Sequence, residues 1–462
     1  MLQKLANIFR IPDLRKRILF TLAMLAVYRL GGHIPTPGIN ADRLQQFFEQ
    51  NRGSFLGFVD LFSGGQLRRL TIFALGIMPY ITASIILQLL TVVYEPLAKL
   101  QKEGELGRKK ITQWTRYLTV ILSSLQSLGI AVSLQKSGDF VVHPGPGFIL
   151  MTMLTLTTGS AFIMWLGEQI TERGVGNGMS LLIFAGIVVG LPRGVADLWD
   201  KIRTDAWGAF TVPAILMLLA VMIVVVAFIV YVERSERRIP VQYAKRVVGR
   251  RVMGGQSTHL PLRVNAGGVM PVIFASSILT LPQTVGYGLR NNRYFGDMIK
   301  ALGWGEPLYT LLYALGIIFF AYFYISIVFN PNEVADNMRK YGGFIPGIRP
   351  GKRTADYINE VLTHITLVGA LYLILISFIP EWMITGIHLN HLPIWLGGGF
   401  FEHLPTWMTN GLGVNFYFGG TSLLIVIGVA MDTVSQIEAQ LIMRHYDGFT
   451  PRSGRVKGRR NW

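Results

Sequence analysis

The chain has 462 residues, 51% of them hydrophobic and 15% charged, with 51 glycines and no cysteine. Soluble chains carry roughly 25% charged residues and about 7% glycine, so this composition sets aside a water-soluble enzyme. The 43 Lys and Arg against 26 Asp and Glu give a formal charge of +17. In a soluble protein that charge would point to nucleic acid, and the lack of cysteine removes disulfides and thiolate metal sites.

Crossing about 30 Å of hydrocarbon takes roughly 20 apolar residues in a helix. Spans are predicted at 18–34, 71–93, 117–134, 148–167, 178–192, 212–232, 267–289, 308–329, 365–380 and 418–434, ten in one membrane domain that covers 1–462. The first run contains Tyr28 and Arg29 and lacks a small-residue cleavage site, so it is expected to stay as a span. Between the first two spans, Phe58 to Arg69 reads FVDLFSGGQLRR, too short and too polar to cross. Such a segment either lies on the surface or re-enters the bundle. The fifth span is short and needs cover from its neighbours. Ten spans divide into halves at 18–192 and 212–434, joined by an external connection at 193–211. Five spans per half make the halves antiparallel, which permits an inverted repeat, although no residue-level repeat accompanies it.

With ten spans both termini share one side. That side holds the N-terminal segment, the connections after the second, fourth, sixth and eighth spans, and the basic tail 435–462, with 31 of the 43 basic residues in all. Both termini are therefore predicted to be cytoplasmic. A basic residue near anionic lipid is worth roughly 1 kcal/mol, and two loops exceed that task. Loop 233–265 carries Arg234, Arg237, Arg238, Lys245, Arg246, Arg250, Arg251 and Arg263 against Glu233 and Glu236. Loop 330–364 contains YGGFIPGIRPG from Tyr341 to Gly351, in which Pro346, Pro350 and the glycines set an ordered turn around Arg349. Both loops read as a landing site for an anionic partner such as ribosomal RNA or an acidic protein surface, with a plain topological signal as the alternative.

The chemistry of catalysis is missing from the sequence. No GxxxxGK[ST] occurs, and Gly174 to Gly178 (GVGNG) enters an apolar span, so it reads as a helix-entry turn rather than a phosphate cradle. His388, His391 and His403 fall in the external loop 381–415 without HExxH spacing and read as solvated; no metal and no cofactor is expected. Glu168, Glu233, Asp432 and Arg29 stand at span ends, where snorkelling accounts for them, and the span centres are nearly free of charge. A neutral centre under elaborate basic loops suggests a passage that docks partners on its cytoplasmic side.

Several segments closely resemble the SecY family, the central subunits of bacterial protein-translocation channels. They are LFSGG at Leu61 to Gly65, IFALGIMPY at Ile72 to Tyr80, WLGEQITERGVGNG at Trp165 to Gly178, ERRIP at Glu236 to Pro240, the Tyr341 to Gly351 turn, and YFGGTSLLI at Tyr417 to Ile425. The likeness runs from Ile11 to about Tyr446. It implies an all-α membrane protein of ten transmembrane helices, with two pseudo-symmetric five-helix halves closing like a clamshell on an hourglass pore. It also implies a pore ring of Ile77, Ile81, Met179, Ile183, Ile273 and Ile425. The pairs Ile77/Ile81 and Met179/Ile183 are at i, i+4 spacing and share a helix face, although on pattern alone they would be ordinary packing residues. An aliphatic constriction dewets, blocking ions while leaving a sliding chain nothing to stick to.

By the same resemblance, Leu61 to Leu70, with Leu61, Phe62, Ser63, Gly64 and Gly65, is a plug. It is expected as a short half-helix that re-enters beneath the ring, with glycines allowing it to move. Thr82, Gln88, Ser277 and Leu281 line a lateral gate, where Gln88 is either a latch or a bridge between helices. Arg349, Lys245, Arg246, Arg250 and Arg251 receive the ribosome or the SecA motor. Small subunits of the SecE and SecG type are implied as partners, as are signal sequences, nascent chains and anionic lipids. The sequence departs from the family pattern at Met179, where an aliphatic residue is expected, at Lys352, where an acidic one is common, and in the length of loop 381–415. The expected function is a passive protein-conducting channel of the bacterial inner membrane. Its rivals are a small-solute transporter with inverted repeats and a membrane scaffold.

Overall fold

The computed structural model describes residues 11–50, 60, 63–136, 140–204, 211–243, 246–248, 251–253, 257–286, 302, 306–385 and 420–447. In chain order the first half holds α1 (Pro12–Gly31), α2 (Ala41–Gln50), α3 (Met78–Val93), α4 (Glu95–Lys102), α5 (Glu105–Lys136), α6 (Pro146–Arg173) and α7 (Gly178–Arg203). The second holds α8 (Thr211–Arg234), β1 (Glu236–Tyr243), β2 (Arg246–Val248), β3 (Arg251–Met253), β4 (Ser257–Arg263) and α9 (Met270–Gly286). It ends with α10 (Pro307–Val328), α11 (Pro331–Lys340), β5 (Gly343–Phe344), α12 (Lys352–Thr385) and α13 (Gly420–Asp447). Each predicted span coincides with one helix: α1, α3, α5, α6, α7, α8, α9, α10, α12 and α13. Prolines at the first helical positions start α1, α3, α6, α10 and α11, where the missing N–H costs nothing and φ is already helical.

Six of these helices, α5, α6, α7, α10, α12 and α13, carry a stretch long and apolar enough to cross a bilayer, and α3 with α4 forms a pair bent by 104°. Their outward faces stay apolar: Leu311, Leu315 and Phe319 on α10, and Val368, Leu371 and Leu375 on α12, are exposed. Rows of exposed large hydrophobic residues are uncommon on soluble monomers and are what hydrocarbon favours. Several helices outrun the apolar windows. α5 begins at Glu105, α12 begins at Lys352, and α13 reaches Asp447. Hydropathy registers only the part inside hydrocarbon, while a helix closes its own hydrogen bonds equally well beyond it.

Three expectations are corrected. The fifth span does not stop at 192 before an external connection. α7 continues through Pro192 to Arg203, with the Arg203 guanidinium 5.7 Å over the Trp199 ring one turn earlier. The second span does not begin at 71: residues 63–77 form a chain of turns, and helix starts only at Met78. Leu70 has φ 40° and Gly76 has φ 56°, both in the left-handed region that α-helix excludes. The same turns overturn the half-helix expected at Leu61 to Leu70. Beside the helical bundle, the two basic loops add short strands. β4, β1 and β5 form a three-stranded sheet, and β2 pairs with β3.

The main core gathers buried residues of α3, α6, α7, α9, α10, α12 and α13 into one cluster. Phe73, from the turns before α3, stacks between Tyr28 of α1 and Phe162 of α6, at 5.9 Å from each ring. Beside it, α6 presses Gly159 onto the backbone of Ile72, where any Cβ would overlap the carbonyl oxygen. Overpacking of a rigid backbone costs about 1–3 kcal/mol or more. Gly159→Val is therefore expected to lower the melting temperature of the detergent-solubilised protein by several degrees. Gly147→Val, on the same helix with open space around it, is expected to leave the temperature unchanged.

Candidate functional site

Ile77, Ile81, Ile183, Ile273 and Ile425 are all buried in the main core, and half-buried Met179 packs against it. Ile77 caps the N-terminus of α3 and Ile81 lies on its first turn, with Ile81 N–H donating to the Ile77 carbonyl at 3.1 Å. Met179 and Ile183 stand on the first two turns of α7, Ile273 on α9 and Ile425 on α13. The fold thus draws these side chains together from four helices belonging to both halves. Ile81, Met179, Ile183 and Ile273, with Met270 and Phe274, line a cavity of about 390 Å³. Its walls come from α3, α5, α6, α7, α9 and α10, with Thr112 and Arg116 from the start of α5 and Glu168, Thr171 and Glu172 from the end of α6.

From Ser63 on, the segment lies against protein: Ser63, Gln66, Leu67, Arg68 and Leu70 are all buried. Its backbone finds partners nearby. Thr36 N–H donates to the Leu70 carbonyl at 2.8 Å, and Ile72 N–H donates to the Ile34 carbonyl at 3.0 Å. Asp60 staples the turn, accepting from Gly65 N–H at 2.8 Å and, through its carboxylate, from Arg68 N–H at 3.0 Å. The Arg68 Nε stands 3.8 Å from the same carboxylate. Burial pushes the Asp60 carboxyl above its ordinary range, against the pull of the Arg68 backbone and guanidinium. Gly64, at φ 72°, lies against the backbone of Gly186 on α7, where a Cβ would come within 2.9 Å. That contact seats the turn one helical turn beyond Ile183. Leu61 and Phe62 lie outside the described residues.

α3 packs against α9, the pair the resemblance makes a gate. Thr82 donates to the Met78 carbonyl at 3.0 Å and Ser277 to the Ile273 carbonyl at 2.7 Å, each within its own helix. Gln88, half-buried, donates to Ser84 Oγ at 3.2 Å on the same helix. In this state its bond neither latches α3 to α9 nor bridges helices. Leu281 belongs to α9, but its side chain lies outside the described residues, as do Lys245 and Arg250 entirely and the side chains of Arg246 and Arg251.

The two basic loops, far apart in sequence, are one structure. β1 pairs antiparallel with β4 from Glu236↔Arg263 to Gln242↔Ser257, and its other edge takes β5 through Gln242↔Phe344 and Tyr243↔Gly343. The alternation of β1 buries Ile239 and Val241 against Leu262, Met338, Ile345, Ile358 and Leu362. Each such burial contributes roughly 1.5–3 kcal/mol, more than any exposed ion pair could. The turns on either side of β5 rest on glycines in the left-handed region: Gly342, Gly347 and Gly351 have φ of 73°, 82° and 107°. Ile348 N–H donates to the Ile345 carbonyl at 3.1 Å, and Thr354 Oγ1 donates to the Arg349 carbonyl at 2.9 Å. The Arg349 side chain is left exposed on a fixed backbone.

Sequence reading treated the span-end acids as snorkelling, and here the structure differs. Glu168 of α6 takes Arg116 of α5 in a two-pronged pair, both contacts at 2.8 Å. Glu233 accepts from Asn265 Nδ2 at 2.6 Å, and Asp432 lies 3.7 Å from Arg263. The signal that could have found the first pair is the lone Arg116 at the mouth of an apolar run, opposite the lone Glu168 on the next span. Among the described residues no group of His, Asp or Glu is arranged to hold a metal. The histidines at 388, 391 and 403 lie outside the described residues.

The SecY family model matches residues 71–434. The protein translocase subunit SecY of Vibrio cholerae is 47% identical over 444 residues, covering 95% of this chain and 94% of that one. That of Escherichia coli K12 is 47% identical over 451 residues, covering 94% and 93%. That of Streptomyces galbus is 48% identical over 465 residues, covering 97% and 100%. Among solved structures, a protein-conducting channel matches at TM-score 0.62 and 17% identity, covering 95% of both chains. The yeast Ssh1 complex on the 80S ribosome matches at 0.61 and 16% identity, covering 94% and 90%. At that identity the structures speak for a shared channel fold, and the sequence relatives carry the assignment. Matched along nearly its whole length in both sequence and architecture, the chain belongs to the SecY family.

Proposed function

We propose that this chain is the channel-forming subunit of a protein translocase in the bacterial cytoplasmic membrane. It passes unfolded polypeptides across the bilayer and releases apolar segments sideways into lipid between α3 and α9. The observation that carries the reading is the meeting of Ile81, Met179, Ile183 and Ile273 at a cavity framed by the ends of α5 and α6. Those ends belong to the side that bears both basic loops. Aliphatic side chains at the narrowest point dewet the passage at rest, and the buried turn from Ser63 to Leu70 serves as the plug. Arg349 and the sheet of the two loops receive the partner that drives movement, a ribosome or a SecA-type motor, and the chain itself hydrolyses nothing. Both termini are cytoplasmic, and SecE- and SecG-type subunits cover apolar faces of the bundle. Relatives named as translocase subunits support this reading, as do neighbours solved on ribosomes, the canine Sec61 and yeast Ssh1 complexes.

An amide among the aliphatic side chains lowers the cost of wetting by a few kcal/mol. Ile81→Asn or Ile273→Asn in reconstituted vesicles is therefore expected to raise resting ion conductance by on the order of tenfold; unchanged conductance rejects the ring. A stalled secretory chain is expected to crosslink to a photoreactive probe at position 81, an adduct that a small-solute transporter does not give. Arg349→Glu is expected to cut motor-driven translocation to about a tenth or less, as for a lost interfacial charge contact. Its melting temperature is expected to stay at the wild-type value because the side chain is exposed. Normal translocation by that variant rules out Arg349 as the docking residue.

A further inference from the structure

The strands β1 and β4 leave the bundle from a common stem. Val264 N–H donates to the Ser235 carbonyl at 3.0 Å, so the pairing of β1 with β4 runs on to the points where the chain leaves α8 and enters α9. Between β4 and α9, the turns at 264–269 contain Gly267 and Gly268, the latter at φ 57°. A linker with two glycines is pliable by itself and would absorb a tilt of the sheet. Here it is clasped. Asn265, 6% exposed, donates through Nδ2 to the Glu233 carboxylate of α8 at 2.6 Å and to the Gly268 carbonyl at 3.1 Å. A single amide thus holds together the end of α8, the root of the sheet and the entry of α9. The helices behind it leave little slack. A Cβ at Gly369 of α12 would come within 2.8 Å of the Val264 carbonyl oxygen, and one at Gly428 of α13 within 2.7 Å of the Val269 side chain. The hydrogen bonding of α9 starts directly from that point, with Ile273 N–H donating to the Val269 carbonyl at 3.2 Å.

We propose that the clasp of Asn265 on Glu233 fixes α9 to the sheet, so that a partner that moves the sheet moves α9 and shifts the α3–α9 interface. This deepens the channel reading and rests on it. Asn265 and Glu233 are positioning residues, and neither lines the cavity. The acceptor is a carboxylate, and a hydrogen bond to an ionised group is roughly twice as strong as one between neutral groups. Asp432 of α13, 3.7 Å from Arg263, braces the last residue of β4 beside it. The clasp therefore sets the coupling between docking and the interface rather than the strength of either.

Spin labels at Leu90→Cys on α3 and Ile278→Cys on α9 report on the interface, in a chain that has no cysteine of its own. The complete translocase in vesicles is measured with and without saturating motor, and the affinity of the motor is measured alongside. In Asn265→Ala and in Glu233→Ala the ratio of open to closed label distances in the docked state is expected to fall by on the order of tenfold, the scale of one hydrogen bond to a charged group. The motor affinity is expected to stay at the wild-type value. Glu233→Gln keeps an oxygen that accepts from Asn265 and is expected to restore most of the response. Asn265→Asp keeps the size of the side chain and sets a second carboxylate against Glu233. It is expected to lose the response as well, which covers an alanine variant that fails to insert. A wild-type ratio in Asn265→Ala or Asn265→Asp overturns the assignment. So does a lost response that follows a matching loss of motor affinity, which leaves the clasp a support for the sheet alone. Failure of the wild-type label distance to change on docking strikes the channel reading itself.

Discussion

Hydrocarbon offers no partner to a peptide N–H or C=O, and each unsatisfied group there costs several kcal/mol. The rest of this structure follows from that constraint. Helices close their own bonds, so the ten apolar runs become ten helices whatever their side chains. The irregular backbone from Ser63 to Ile77 has to find its partners elsewhere, and it finds them in residues 34–36 and in Asp60. It is also enclosed: Phe73 is stacked between α1 and α6, Gly64 lies on α7, and Ile72 lies under Gly159. A non-helical segment can sit deep in the bundle because protein surrounds it on every side described. Asp60 ties the turn internally to Gly65 and Arg68, while Leu70 and Ile72 tie it to residues 34–36.

The charges obey the same economy of solvation. Acids at the ends of α6, α8 and α13 do not face lipid alone. Glu168 is held by Arg116, Glu233 by Asn265, and Asp432 lies beside Arg263. Two of these three partners come from β4 and the turn that follows it, so the sheet on the basic side is tied to the helices beneath it. The sheet itself stands on apolar burial rather than on its many arginines, which repel one another. Ile239, Val241 and Leu262 hold it to α11 and α12, and the Arg349 side chain beside it stays exposed.

Much of the candidate site was legible residue by residue without any geometry. Ile77 and Ile81, and Met179 and Ile183, fall at helical spacing, and the motifs around them carry the family likeness. Their convergence was not legible, because Ile273 and Ile425 lie on helices whose packing no local pattern encodes. Gln88 shows the opposite limit. A polar residue in an apolar run invites a partner across the interface, yet Ser84 one turn away satisfies it first.

The sequence by itself determined the apolar runs that become helices, their order, the gathering of basic residues in two loops and the turn that displays Arg349. These depend on properties that add along the chain: apolar length, charge count, and proline and glycine at fixed offsets. Only the tertiary structure decided that α3 begins at Met78 rather than at 71, and that residues 63–77 are a largely buried series of turns. It also decided that strands from two distant loops join in one sheet, and that Glu168 meets Arg116 beside the aliphatic cluster. Each of those depends on which surfaces meet across long stretches of chain, and close backbone approach, pairing register and ion pairing between helices are set by packing that no local window contains.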